Sequence, residues 1–210
     1  MQTVALIDYG SGNLRSAEKA LVRAADGHAD IVVTHDPDIV AAADRIVLPG
    51  VGSFRACAEG LRAIPGLVEA MTERVLVGGA PFLGICVGMQ LLATRGLEHG
   101  TTAGLDWIAG EVRAIEVTDP AIKIPHMGWN DVAPMRHTDG ALLIEPGEAY
   151  FLHSYHFVAE QGESIAALTD HGRSVVAAVA RDNLVGVQFH PEKSQAYGLE
   201  FLARFLEWKP

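Results

Sequence analysis

The chain has 210 residues, 49% hydrophobic and 20% charged, which suits one domain with a full core. Sixteen Lys and Arg stand against 26 Asp and Glu, a formal net charge of −10, so nucleic acid and anionic membranes are poor partners for its surface. Two cysteines are too few for a disulfide framework, no apolar run approaches the roughly 20 residues that cross a bilayer, and the N-terminus lacks the basic start of a signal peptide, so a reducing cytoplasm is the expected compartment.

Residues 3–7 read as a short apolar strand ending at a Gly-rich turn. Leu14, Ala17, Leu21 and Ala24 then recur at helical spacing. A strand is expected over 31–34, a short helix over 38–43 and another strand over 45–48. Residues 54–77 read as helical, interrupted at Pro65-Gly66. Residues 81–85 form a strand and 87–94 a helix. This alternation predicts an α/β fold with a largely parallel sheet.

The pattern changes after about Gly100. Segments 108–117, 129–133, 149–152, 164–168, 175–180 and 184–189 read as strands, and Gly, Asp and Asn separate several of them as in hairpins. An amphipathic helix over 197–208 closes the chain. With no repeat, low-complexity stretch or linker in view, one domain is expected over 1–210. Its sheet should be mixed, with an antiparallel C-terminal half.

Chemistry concentrates at two places. Cys86 lies in Gly84-Ile85-Cys86-Val87-Gly88, between an apolar strand and a helical run. Glycines two residues either side of a nucleophile permit a tight strand-to-helix turn that lifts it to the tip of the strand. A helix N-terminus there favours a thiolate. An ordinary buried cysteine is the bland alternative. Far down the chain, 185–189 runs into His190-Pro191-Glu192. Residues two apart in extended chain face the same way, so Glu192 can orient the His190 imidazole, and Pro191 is expected to keep the segment out of helix. Cysteine, histidine and acid together make a nucleophile, base and orienter.

Other features carry less. Gly10-x-Gly12 lacks the third glycine of a dinucleotide fingerprint, and no acidic residue stands out as its partner. Gly50-Val51-Gly52 follows a strand and lets backbone N–H groups approach a ligand, though a plain strand-to-helix turn would look the same. Cys57 reads as a helix-packing residue. His126, His137, His153, His156 and His171 are scattered without metal-site spacing, so no metal and no cofactor is expected.

Gly84-Ile85-Cys86-Val87-Gly88-Met89-Gln90 and Gly186-Val187-Gln188-Phe189-His190-Pro191-Glu192 resemble the two signature blocks of the triad-type (class I) glutamine amidotransferases. Ile7-Asp8-Tyr9-Gly10-Ser11-Gly12-Asn13, Pro49-Gly50-Val51-Gly52-Ser53-Phe54 and Pro125-His126-Met127-Gly128-Trp129-Asn130 resemble, within that family, the glutaminase subunits of imidazole glycerol phosphate synthases. The resemblance spans essentially the whole chain.

It implies a three-layer fold and a defined set of roles. Cys86, His190 and Glu192 would be the catalytic triad, and the backbone of Val87 and Gly52 the oxyanion donors. Gln90, Gly52, Ser154 and Tyr155 would hold glutamine. A separate (βα)₈-barrel cyclase would take the ammonia and make imidazole glycerol phosphate and AICAR, in a heterodimer serving histidine biosynthesis. Asn13, Met127, Trp129, Tyr150 and Lys193 would meet that partner, although core packing also accounts for a tryptophan at 129. Other expectations stay open: a glutaminase for another synthase, a stand-alone cysteine hydrolase, or a catalytically silent scaffold that only regulates the cyclase.

Overall fold

The computed structural model describes residues 1–11, 13–136 and 138–210. Strand and helix alternate first: β1 (Gln2–Ile7), α1 (Leu14–Ala25), β2 (Ala29–Thr34), α2 (Pro37–Ala42), β3 (Arg45–Gly50), α3 (Phe54–Arg62), α4 (Leu67–Thr72) with a π-helical extension over Glu73–Val77, then β4 (Phe82–Cys86) and the single turn α5 (Val87–Gln90). Strands then dominate: β5 (Arg95–Gly96), β6 (Thr102–Ala103), β7 (Gly110–Ala114), β8 (His126–Pro134), β9 (Gly147–His153), β10 (Tyr155–Ala159), β11 (Ile165–Asp170), β12 (Ser174–Arg181) and β13 (Leu184–Val187). Helix α6 (Gln195–Glu207) ends the chain.

Local chemistry sets several of these boundaries. Asp36 accepts the Asp38 N–H at 3.0 Å, and Pro37 opens α2 where no N–H is needed. Ser53 accepts the Ala56 N–H at 3.2 Å at the start of α3, and the Glu98 carboxylate takes the Phe54 N–H at 2.7 Å.

One nine-stranded sheet runs β2-β1-β3-β4-β13-β12-β11-β8-β9. Its first five strands are parallel, and from β13 outward every pairing is antiparallel. This is the expected mixed sheet with an antiparallel second half. Every residue of β4 is buried, as a central parallel strand covered on both faces requires.

Several expectations need correction. The segment 108–117 does not join the main sheet: only Gly110–Ala114 is strand, in a separate four-stranded sheet ordered β10-β7-β5-β6. Its two-residue members β5 and β6 carry no periodicity to read, and the five-residue β10 is likewise absent from the sequence reading. The helix expected over 87–94 stops at Gln90. Leu92, Ala93 and Thr94 instead exchange backbone hydrogen bonds with 104–110. Strand β8 starts at His126, three residues early, because its ladder with β9 continues to the His126–His153 pair. Pro191 does not exclude helix. It opens a 3₁₀ turn over Pro191–Lys193, since a proline suits the first helical position. Gly12 and His137, named in the sequence reading, lie outside the described residues.

Candidate active site

Three neighbouring strands deliver the site at their carboxyl ends, where ligands bind in open α/β sheets. The register places Gly50 at the end of β3 beside Cys86 at the end of β4. Val187 at the end of β13 pairs with Ile85, so the chain after β13 emerges next to the same cysteine. Cys86 has φ 55° and ψ −110°, a strained backbone for a residue with a side chain. The glycines around it are steric requirements: a Cβ on Gly88 would lie 1.8 Å from the Leu48 carbonyl oxygen, and one on Gly84 2.6 Å from that of Gly88.

The His190 turn is anchored from three sides. Its N–H donates to the Tyr150 carbonyl at 2.9 Å. The Ser194 hydroxyl donates to the His190 carbonyl at 2.7 Å and accepts the Tyr150 N–H at 2.9 Å. The Phe189 ring packs edge-on against Phe151, Tyr197 and Phe201. His190 Nδ1 and Glu192 Oε1 stand 2.8 Å apart, with both side chains buried. The 3₁₀ turn, not strand alternation, brings this acid back under its histidine.

Burial has the largest influence on His190 and pulls its pKa down. Hydrogen bonding to Cys86 and to Glu192 outweighs it and raises the group from 6.5 to about 9. Its neighbours Cys86 and Glu192 thus favour the protonated imidazole. The four-residue α5 offers little of the macrodipole that the sequence suggested.

A pocket of about 150 Å³ opens beside Cys86, lined among others by Val51, Gly52, Val87, Gln90, Leu152, His153, Ser154, Tyr155, His190 and Lys193. Every candidate substrate and oxyanion residue from the sequence thus borders one cavity. Gln90 Nε2 donates to the Tyr155 carbonyl and to Gln188 Oε1, each at 3.0 Å. Both of its hydrogens are spent, which leaves Oε1 as an acceptor for a ligand ammonium. Gln188 is fully buried and presents its own Nε2 to Cys86 Sγ at 3.7 Å. The sequence reading passed over Gln188 as part of a strand, although its place two residues before His190 was the available signal.

The Val51 carbonyl accepts from the Ser11 hydroxyl at 2.7 Å and from the Cys57 thiol at 3.4 Å, and the Tyr9 hydroxyl donates to the Pro49 carbonyl at 2.7 Å. Cys57 packs inside α3 as expected. It also touches the segment beside the nucleophile, which no spacing rule indicated.

Among the partner candidates, Met127 is 65% and Trp129 47% exposed. Trp129 meets Tyr150 edge-on at 6.2 Å, and Lys193 Nζ stands 5.7 Å from the Tyr150 ring centre. These residues form one face next to the pocket mouth, and Trp129 is no core residue. Asn13 is exposed and borders a small cavity behind His190 and Glu192. Among the described residues no group of three His, Cys, Asp or Glu is placed to hold a metal, and no helix is long and apolar enough to cross a membrane.

Known proteins resemble the chain over its whole length. The family described as glutamine amidotransferase class-I matches residues 5–208. A relative from Zymomonas mobilis subsp. mobilis, named imidazole glycerol phosphate synthase subunit HisH, is 57% identical over 99% of this chain and 97% of its own. The protein of the same name from Caulobacter vibrioides is 58% identical over 100% of both chains. Among solved structures, a crystal structure of a glutamine amidotransferase superposes with a TM-score of 0.72 at 18% identity, covering 97% of each chain. The glutaminase domain of Trypanosoma brucei CTPS with bound acivicin gives 0.67 at 18% identity, covering 100% of this chain and 96% of that one. At such identities the two structures speak for the fold alone.

Proposed function

The chain belongs to the class-I glutamine amidotransferases, and from that premise we propose that Cys86, His190 and Glu192 are the triad of its glutaminase site. It is the glutaminase subunit of an imidazole glycerol phosphate synthase and serves histidine biosynthesis. The observation that carries the site assignment is the buried Cys86–His190–Glu192 line at the end of β4, opening onto a pocket.

The proposed chemistry runs through a Cys86 thiolate and a protonated His190. Cys86 as thiolate attacks the carboxamide carbon of glutamine, and the C–O π pair moves to oxygen. Backbone N–H groups of Val87 and of the Gly50–Gly52 segment, Gly52 among them, face that oxyanion. His190 already carries the proton and gives it to the leaving nitrogen as the C–N bond breaks, releasing ammonia and leaving a γ-glutamyl thioester. Neutral His190 then takes a proton from water, which attacks the thioester and frees glutamate. Glu192 holds the imidazole in place and balances its charge. Gln90 Oε1 takes the α-ammonium of glutamine, and the Ser154–Tyr155 backbone completes that end of the pocket.

The Met127–Trp129–Tyr150–Lys193 face, with Asn13, is the proposed contact for a separate cyclase subunit, because it is apolar, aromatic and adjacent to the pocket mouth. A reducing cytoplasm suits a free thiolate. In the isolated chain, we expect the Gly50–Gly52 segment to present a carbonyl, not an N–H, to the oxyanion for much of the time. Cyclase and its nucleotide would shift that population. The test is glutaminase turnover of the chain alone, of the complex, and of the complex with nucleotide. A rise of about 10²–10³-fold is expected, the usual effect of one oxyanion donor. Equal turnover in all three would remove the switch and favour a stand-alone hydrolase.

A further inference from the structure

Strands β8 and β9 alternate faces. Met127, Trp129, Tyr150 and Leu152 point out, whereas His126, Asn130 and His153 lie on the inner face, where His126 and His153 are a cross-strand pair. A line of hydrogen bonds joins these inner residues to the pocket. Asn130 Nδ2 is 3.0 Å from His126 Nε2, His126 Nδ1 is 3.0 Å from His153 Nε2, and His153 Nδ1 is 2.9 Å from the Tyr155 carbonyl oxygen.

Both ends set the protons in this line: the Tyr155 carbonyl can only accept, and the Asn130 amide has one possible orientation. Asn130 Oδ1 accepts the Asp131 N–H at 2.9 Å, and Nδ2 donates to the Asp170 carbonyl at 2.7 Å, so the amide cannot be turned over without facing oxygen to oxygen. Nδ2 must therefore donate to His126 Nε2. The His126 proton then sits on Nδ1 and goes to His153 Nε2, and the His153 proton sits on Nδ1 and goes to Tyr155. The same carbonyl accepts from Gln90, which orients Gln188 toward Cys86. Burial, aided at His126 by the stacked His171 ring, holds both imidazoles neutral, at about 4 for His126 and about 3 for His153.

We propose that Asn130, His126 and His153 are positioning residues: a chain of fixed proton order, both imidazoles in the Nδ1–H form, that holds the Tyr155 carbonyl and through it the Gln90–Gln188 pair at the nucleophile. The role in glutamine binding rests on the glutaminase reading above, whereas the proton order does not. An imidazole free in water prefers the other tautomer, so the Nδ1–H form is a signature that mere packing would not impose.

The experiment is ¹⁵N spectroscopy of the histidine side chains in the full chain at pH 7, with glutaminase kinetics of the complex with cyclase and nucleotide for Asn130→Leu and Asn130→Asp. In the unmodified protein His126 and His153 should both show protonated Nδ1 and bare Nε2. Leucine removes the donor and leaves the buried His126 Nε2 without a partner, which loosens the line. KM for glutamine should rise about fivefold, the worth of one neutral hydrogen bond, with kcat changed less. Aspartate sets an oxygen against the Asp170 carbonyl, 2.7 Å from the present Nδ2, and against His126 Nε2, so His126 should become doubly protonated and KM should rise as it does for leucine. Nε2–H tautomers in the unmodified protein, or a KM for glutamine unchanged by Asn130→Leu, would overturn the proposal. A complex with no glutaminase activity would instead sink the glutaminase reading, and the spectrum would still decide the proton order.

Discussion

In the proposed mechanism three side chains carry the reaction, and their surroundings rank them. Cys86 supplies the bond-forming sulfur, so Cys86→Ala should abolish glutamine-dependent synthesis by the complex and spare synthesis from added ammonium. Full glutamine-dependent activity in that variant would end the assignment. His190 moves the proton in both half-reactions, and His190→Ala should cost about 10⁴-fold in glutaminase kcat. Glu192 reacts with nothing. Glu192→Gln keeps an acceptor 2.8 Å from Nδ1 but removes a charge that raises the His190 pKa. Its loss should be smaller, about 10²-fold. The alkaline limb of the pH profile should also move down from about 9, because less holds the proton on the ring. An unmoved limb, or a defect larger than that of His190→Ala in a folded variant, contradicts this ranking.

At the scale of elements, the site depends on backbones that touch. Turn α5 crosses β3 with no room between Gly88 and the Leu48 carbonyl, and α6 crosses the His190 turn with Gly198 against the Pro191 carbonyl. A Cβ there would sit 1.8 Å and 1.9 Å from oxygen, so whole elements would have to part. Gly88→Ala and Gly198→Ala should each cost about 3 kcal/mol, the upper part of the overpacking range. For a chain of this length that lowers Tm by roughly 6–12 °C. Gly162, with nothing within 4 Å of its added Cβ, is the control, and Gly162→Ala should leave Tm nearly unchanged. Equal Tm values across the three variants would mean that the crossings are looser than described.

Over the whole molecule, the buried histidines link stability to pH with opposite signs. Burial lowers His126 and His156 to about 4 and His153 to about 3, all below their unfolded value of 6.5. What they contribute is present above pH 6.5 and is lost as pH falls through about 4. His190 is raised to about 9, so its contribution is full below pH 6.5 and fades as pH rises through 9. Acid also lessens the net charge of −10, which would stabilise the fold, but exposed charges are screened beyond about 8 Å in physiological salt. The three lowered histidines should win. The urea midpoint should fall steadily between pH 6.5 and 4, and a midpoint that is flat or rising there would refute this.

The alternation of strand and helix up to Cys86, the antiparallel tail and the two reactive motifs were legible in the sequence, because each is written in local periodicity or in residues a few positions apart. So was the nucleophile elbow, since its glycines adjoin the cysteine. Less local facts were not. That 108–117 contributes to a second sheet depends on which distant backbone completes its ladder. That Glu192 returns to His190 through a 3₁₀ turn depends on Ser194 and Tyr150, the latter some forty residues away. The hold of Ser11 on Val51 and of Gln188 on Cys86 joins residues 40 and 102 positions apart, and the orientation of the Asn130 amide depends on Asp170, 40 positions away. Sequence determined which groups could react, because residue type sets intrinsic chemistry. Only tertiary structure decided which of them are charged, which way their protons point and what they face, because burial and hydrogen-bond partners are properties of neighbours in space.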